Sequence, residues 1–379
     1  MQRMENALCV RSLSFSKSDI KKFILFAWEI YKNDPLWVPP LIMDQLKLLH
    51  PKKNPFFLHS SMELLGAYEQ GKMVGRIAIG INNNSNQFRK ENVAFFGFFE
   101  CVNRQEVANA LFNTATQWAN QRNIKKICGP FNPTFYNEMG ILVEGFDTPP
   151  YILMIHNPKY YENLLINFGF SKAIDAYAYY IEDSRKLLTE SLLQMSAHVE
   201  KTYHPTIRPI DKGKHFMRDA YTVMDMVNES LANNWGFCPL NKQELEFTAK
   251  DLKAAVVPDL CFIVEVNGKP AGVGITFPNY NEAIKHANGR LFPFGLLKIL
   301  YYSRNIKTAR TWQLGVTQEF QRTGLGTYCY VEITKRALKR GISEGEMSII
   351  FENNKPMVNA AQLLGAKRYK TYRFFEKEI

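Results

Sequence analysis

At 379 residues, 46% hydrophobic and 22% charged, the chain has an ordinary globular composition and room for two or three domains, which excludes a disordered or fibrous protein. Its 47 Lys and Arg outnumber its 36 Asp and Glu, for a formal charge of +11. That balance favours anionic partners such as nucleic acid, membrane surfaces or phosphate-bearing ligands. None of the six cysteines forms a CxxC pair, so we expect no metal site. No apolar run is long enough for a spanning helix, and the N-terminus has no apolar stretch followed by a cleavage site. The expectation is a cytoplasmic protein.

In chain order, the pattern predicts a short strand at LCVRSLS and a Ser-capped amphipathic helix at SKSDIKKFILFAWEIYKND. PLWVPP breaks it, and LIMDQLKLLH is a second helix. A strand pair follows in SMELLGAYEQGKMVGRIAIGI, turning at EQGK. NVAFFGFFECV is a buried strand, RQEVANALFNTATQWANQR a helix and IKKICGPF a strand. PKYYENLLINFG is a helix ended by Gly169, and SKAIDAYAYYIED closes the half. The same order then recurs. HPTIRPID is a strand, followed by two helices and the strand pair LCFIVEVNGKPAGVGITF. TARTWQLGV is a strand, GTYCYVEITKRALKRG a helix, EMSIIFE a strand, KPMVNAAQLLG a helix and AKRYKTYRFFEKE a closing strand. This is an internal duplication of element order. It predicts domains at 1–183 and 205–379, joined by a connecting helix at 184–204, a stretch without Gly or Pro.

One loop separates the halves. After TARTWQLGV comes QRTGLG, Gln321 to Gly326, and then a long helix. Glycines there let the backbone approach an anion, and helix-start amides point at it. The equivalent CVNRQEVANALF of the first half is shorter and has no glycine.

A strand, a Gln/Arg-x-x-Gly-x-Gly loop and a helix resemble motif A of the GCN5-related N-acetyltransferase (GNAT) superfamily. Further segments, PKKNPFF, FFGFFE, GPFNPTFYNEMGILVEGFDTPPYILMIHNPKYY, NNWGFCPL and LGAKRYKTYRFFEK, resemble bacterial tandem GNAT-like proteins and are similar to bacterial N-acyltransferases that acylate sphingoid bases. The resemblance implies an α/β (α+β) fold. It would contain two tandem GNAT domains, each a mixed, mostly antiparallel sheet flanked by helices, the first one degenerate. It implies acyl-CoA as cosubstrate and an amine as acceptor. Leu314, Gly315 and Val316 would bind the acyl carbonyl and pantetheine. Gln321, Arg322, Thr323, Gly324, Leu325, Gly326 and Thr327 would bind pyrophosphate. The tyrosine acid common in the superfamily stands four residues before a glycine; here those positions are Ala361 and Leu165. Tyr328 and Tyr330 flank the motif helix, where core packing explains them as well.

For the base, the first half offers Glu138, Glu100 and His156, because a carboxylate in an aromatic setting has its pKa raised towards usefulness. Each has a plainer reading. Glu100 would cap the next helix, Glu138 would pair structurally, and His156 would start a helix. Asn353 and Asn354 read as helix caps. The segment 289–310, GRLFPFGLLKILYYSRNIKTAR, reads as an interfacial helix, the wall of an acyl channel, or a helix packed on its own sheet. The aromatic runs VAFFGFFE and LFPFGLLKILYY favour a donor longer than acetyl and an amphiphilic amine met at the inner membrane face. A small-acyl enzyme, a non-catalytic acyl-CoA or lipid-binding protein and a nucleic-acid binder are the alternatives. The last ranks lowest, because no basic–aromatic reading surface is evident and no nucleic-acid partner is expected.

Overall fold

The computed structural model describes residues 7–232 and 234–379; residues 1–6 and 233, the latter opening NNWGFCPL, lie outside the described residues. The first half contains β1 (Cys9–Leu13), α1 (Lys17–Ile30), α2 (Ile42–Leu48), β2 (Ser61–Glu69), β3 (Lys72–Ile81), α3 (Asn83–Arg89), β4 (Val93–Cys101), α4 (Gln105–Asn120), β5 (Lys126–Gly129), β6 (Ile141–Glu144), α5 (Tyr161–Phe168) and β7 (Ser171–Ile181). Next come α6 (Glu190–Tyr203), β8 (Thr206–Pro209), α7 (Phe216–Leu231), α8 (Lys242–Leu252), β9 (Cys261–Val266), β10 (Lys269–Pro278) and α9 (Asn281–Ile284). The chain finishes with α10 (Gly295–Tyr302), β11 (Thr308–Val316), α11 (Leu325–Lys339), β12 (Glu344–Phe351), α12 (Lys355–Leu363) and β13 (Lys367–Glu378). The sequence pattern did not anticipate the polar helix α3 or the short strand β6.

Local chemistry accounts for most boundaries. The Ser16 hydroxyl accepts from the Asp19 amide and starts α1. Both expected strand pairs turn on two left-handed residues, Gln70–Gly71 and Asn267–Gly268, the geometry that matches strand twist. Asn354 caps α12 by accepting from the Met357 amide, as expected.

The chain forms two compact units. Unit 1 comprises 1–175, 284–299 and 370–379; unit 2 comprises 176–283 and 300–369. They do not divide at 184–204. In unit 1 the strand order is β1-β2-β3-β4-β5-β13; in unit 2 it is β8-β9-β10-β11-β12-β7. Each sheet is antiparallel except for one parallel pair, β4 with β5 and β11 with β12. The sixth strand of each sheet closes the other repeat in sequence. Ala176–Ile181 of β7 pairs with β12, and Phe375–Glu378 of β13 pairs with β5. A linear boundary cannot express that exchange.

The aromatic run VAFFGFFE is core on both faces of β4. Phe96 and Phe99 pack with Phe112 and Trp118 of α4, and Phe95 and Phe98 pack with Phe23 of α1 and with Phe56. It therefore supplies no acyl-channel wall. In unit 2, Leu325, Cys329 and Ile333 of α11 pack on Phe262 and Val264 of β9, with Val199 of α6 against them.

Phe375 is 1% exposed and belongs to the core of unit 1 although it lies four residues from the end of the sequence. Phe375→Ala should cost about 3–5 kcal/mol. Denaturant unfolding with probes in each unit should show the loss in unit 1.

Candidate active site

In unit 2 the parallel pairing of β11 with β12 covers only Thr308–Thr311 against Glu344–Met347. Beyond that point β12 continues its ladder with β7, while β11 continues with β10 alone. The two strands splay. A bulge accompanies the splay, because the β10 register shifts between Ile275 and Thr276, opposite Trp312. Residues Trp312 to Val316 are all half-buried, unusual for an internal strand. Their backbone on the β12 side is an open edge to which an extended chain can add. Leu314, Gly315 and Val316 lie on this edge.

The loop Thr317–Gly324 follows directly. Arg322 and Gly324 adopt left-handed conformations, so successive amides curl towards one point, an anion nest. Thr323 closes the turn by donating its hydroxyl to the Phe320 carbonyl, 2.7 Å. The α11 ladder begins with the Tyr328 amide donating to the Gly324 carbonyl, 3.0 Å, and the Leu325 amide is met by the Thr323 hydroxyl oxygen at 3.3 Å. The amides of Gly326 and Thr327, in the first turn, are therefore left to an incoming acceptor, aided by the helix dipole. A Cβ at Gly326 would meet nothing within 4 Å, so the space before these amides is open. Gln321, Arg322, Thr323 and Leu325 complete the loop.

Unit 1 has the same splay in a closed form. β4 and β5 pair over Val93–Phe95 and Lys126–Cys128. The chain after β5 then lies along β4. The Phe131 amide donates to the Phe96 carbonyl at 2.8 Å, and the Phe98 amide donates to Asn132 Oδ1 at 2.6 Å. A Cβ at Gly97 would stand 1.8 Å from the Phe131 carbonyl oxygen, so only glycine permits this approach. The backbone edge that is open in unit 2 is taken by the protein itself. The short link Val102–Arg104 between β4 and α4 offers no glycine nest either.

The segment that fills this gap carries Glu138, whose carbonyl accepts from the Asn132 amide, 3.1 Å. Glu138 is half-buried. Burial, and next the neighbouring Glu100, push its carboxyl up to about 7; Arg76 and the Asn132 side chain pull the other way. Glu100, at the end of β4, is cross-strand partner of Arg76 on β3, with Nη2 to Oε1 at 3.6 Å. Tyr161 donates to Glu100 Oε2 at 2.6 Å and accepts from the Cys101 amide at 2.9 Å. Tyr31 also lies beside Glu100. Burial raises the Glu100 carboxyl, and Arg76 and the two tyrosines offset this only in part. Glu100 caps no helix; the α4 cap position is Arg104.

His156 joins the same cluster. Its carbonyl accepts from Tyr31 Oη at 3.1 Å, and its Nε2 lies 2.7 Å from Asp34 Oδ2. It starts no helix, since α5 begins at Tyr161. Burial holds its pKa below the usual value despite Asp34. The buried Nδ1 has no hydrogen-bond partner among the described residues, which fits a neutral ring that donates from Nε2 to Asp34. The fold thus brings Glu138, Glu100 and His156 into one buried polar cluster. Sequence reasoning missed the groups that connect them: Tyr31, Asp34, Arg76 and Tyr161. An Arg opposite a Glu on adjacent strands was the one available signal.

Ala361 and Leu165, at the positions where a tyrosine acid would stand, are fully buried core residues. Tyr328 is core as well, packed with Cys329 and Phe262. Tyr330 packs in the cluster that contains Ala361, Met347 and Leu314, and its buried hydroxyl has no hydrogen-bond partner among the described residues. No group of acidic, His or Cys side chains suited to a metal occurs among the described residues.

These features, a splayed parallel pair, a glycine nest and a helix start, are those of an acyltransfer fold, and comparison with known proteins bears on them directly. The model of the acetyltransferase (GNAT) family matches residues 221–366. The chain is 33% identical over 372 residues to the bacterial ceramide synthase of Caulobacter vibrioides (strain NA1000 / CB15N), covering 96% of this chain and 95% of that protein. It is 32% identical over 370 residues to protein YghO of Escherichia coli (strain K12), covering 96% and 94%. A solved tandem GNAT protein from the clavulanic acid biosynthesis pathway shares the fold over 98% of both chains, with a TM-score of 0.57 at 14% identity. The chain belongs to the GNAT family. It has two tandem GNAT folds and is an N-acyltransferase of the class that draws its acyl group from a coenzyme A thioester.

The geometry separates two glycine substitutions. Gly324 has φ +90°, and a Cβ there would lie 3.0 Å from Val199, so Gly324→Asp should destabilise unit 2 by about 1–3 kcal/mol. Gly326→Asp should leave the fold intact, since its Cβ enters open space and an acid suits a helix start. Its carboxylate should nonetheless weaken CoA binding by about a hundredfold, ~2.7 kcal/mol. Calorimetry on the folded variant checks this, and undiminished affinity would remove the nest from the pyrophosphate site.

Proposed function

We propose that this protein transfers a long acyl chain from acyl-CoA to the amine of an amphiphilic acceptor of the sphingoid-base type. The open edge of β11 leading into the glycine nest is the observation that carries the use of acyl-CoA. Leu314–Val316 would hold pantetheine and the thioester carbonyl through backbone groups, and Gln321–Thr327 the pyrophosphate. The acceptor class rests on similarity to the bacterial ceramide synthase along nearly the whole of both chains. It does not rest on aromatic walls, because VAFFGFFE is core.

Acyl transfer forms the N–C bond and breaks the C–S bond. The amine nitrogen loses a proton and the leaving sulfur gains one. In this reading Glu138 accepts the amine proton, directly or through water, since a carboxyl near 7 and partly open to solvent is matched to that task. Glu100, already bonded by Tyr161, beside Tyr31 and paired with Arg76, raises the basicity of Glu138 by its charge. His156 with Asp34 positions Tyr31. Tyr330, kept protonated by burial, donates to the leaving sulfur in place of the tyrosine missing at Ala361.

A carboxylate base works only when ionised, so kcat/KM should fall as pH drops below about 7. Glu138→Gln should remove that acid limb and lower turnover by about a hundredfold, leaving acyl-CoA affinity unchanged. Tyr330→Phe should lower kcat, not KM. Wild-type pH profiles in Glu138→Gln would exclude it as the base.

The donor and acceptor classes are tested together. A donor series from acetyl to palmitoyl, with a sphingoid base as acceptor, should show kcat/KM rising with chain length, by about fourfold per buried methylene at ~0.8 kcal/mol until the site is filled. Highest efficiency at acetyl would make this a small-acyl enzyme. CoA binding without thiol release, whichever amine is supplied, would favour a binding module.

A further inference from the structure

Among the described residues, half of the exposed large apolar side chains lie in the segment between β10 and β11. Phe292 is 86% exposed, Phe294 65%, Leu296 51%, Leu297 62%, Leu300 54%, Tyr301 62% and Tyr302 40%. Only Gly295 of α10 is buried. The helix therefore packs on no sheet, and the reading of this segment as a core helix is overturned. Seven large exposed apolar side chains between Phe292 and Tyr302 are rare on ordinary water-facing surface.

The segment is also held rigidly. At its entry, Trp28 Nε1 donates to Asn288 Oδ1 at 2.8 Å and the Ile42 amide donates to the Gly289 carbonyl at 2.9 Å. At its exit, the Thr308 hydroxyl donates to Glu282 Oε1 at 2.5 Å. Within it, the Leu296 amide donates to the Leu291 carbonyl at 2.9 Å and the Lys298 amide to the Phe294 carbonyl at 3.0 Å. Pro293 has no amide to satisfy. The backbone of the apolar turn is thus largely self-bonded, the condition for entering an apolar phase.

Charge decides what covers it. From Lys285 to Gln318 the sequence has no Asp or Glu, yet it carries Lys285, Arg290, Lys298, Arg304 and Lys307, all exposed. A second copy of the same surface would bring these cations together, and a generic apolar partner would not need them. An anionic bilayer satisfies both features. Aromatic and leucine side chains enter the acyl boundary while basic side chains reach the headgroups. No helix among the described residues is long and apolar enough to cross a membrane, so the contact is peripheral.

We propose that residues 291–302 are a membrane-insertion element that docks this protein on an anionic bilayer surface. Exposure and charge alone fit this segment to a bilayer, whatever amine the enzyme acylates. The test uses the full chain and sedimentation with vesicles. Partition into phosphatidylglycerol–phosphatidylcholine vesicles should exceed that into phosphatidylcholine alone by about tenfold or more and weaken with added salt. The double variant Phe292→Ser, Phe294→Ser should keep the wild-type melting temperature and lose about tenfold or more of the partition. Lys298→Glu with Arg304→Glu should abolish the preference for anionic lipid. Phe292→Trp should show a blue-shifted emission on vesicle addition. Equal binding by the serine variant would overturn the proposal. So would lipid-free self-association through this surface with no vesicle binding.

Discussion

The backbone of β11 loses its neighbour after Thr311, and the functional geometry of unit 2 follows from that break. An internal strand normally has both edges hydrogen-bonded, because an unpaired buried amide or carbonyl is costly. Trp312 to Val316 escape that cost by staying half exposed along a gap that an extended, amide-bearing ligand can fill. The bulge opposite Trp312 turns the strand at the point of separation. The same strand then delivers the chain into the left-handed residues Arg322 and Gly324 and the start of α11. One departure from sheet pairing therefore creates both an open strand edge and a glycine turn ahead of a helix start, the two features on which the proposed acyl-CoA site rests.

Unit 1 shows what happens when the same departure is sealed. Phe131 and Asn132 lie along β4 where a ligand would lie in unit 2, and Gly97 is the concession that lets them in. The segment thus committed to β4 brings Glu138 beside Glu100, Arg76, Tyr31 and Tyr161. A buried polar cluster of this size is stable only when its members satisfy one another. Here Glu100 is bonded by Tyr161 and paired with Arg76, while burial and Glu100 push the Glu138 carboxyl up to about 7. In unit 1 the strand edge is filled by Phe131 and Asn132, and a group of interacting acids and tyrosines stands beside it.

The aromatic excess of the chain divides between two environments. In β4 the phenylalanines alternate between two cores, each face of the strand packing against a different helix. In the segment before β11 they stand in solvent among cations. Composition alone treats both runs alike, although one is core and the other is exposed.

Much was legible in the sequence. Local signals carried the duplicated element order: paired Gln70–Gly71 and Asn267–Gly268 turns, the Ser16 and Asn354 caps, Gly169 at a helix end, and the glycine loop at Gln321–Gly326. These work at short range, through backbone dihedrals and hydrogen bonds within a few residues. Candidate acids were also legible as carboxylates placed in aromatic surroundings. The partners of Glu100 were not, because Tyr31, Arg76 and Tyr161 reach it from separate elements. Nor was the exchange of closing strands, in which β13 completes unit 1 and β7 completes unit 2. Strand pairing depends on which edges meet in space, and an aromatic strand pattern such as KRYKTYRFFEKE is equally compatible with either sheet. The sequence by itself determined the elements, their repetition and the glycine loop before α11; the tertiary structure decided which gap stayed open, which was filled, and which aromatic residues were left outside, because those outcomes depend on edges and faces that become neighbours only on folding.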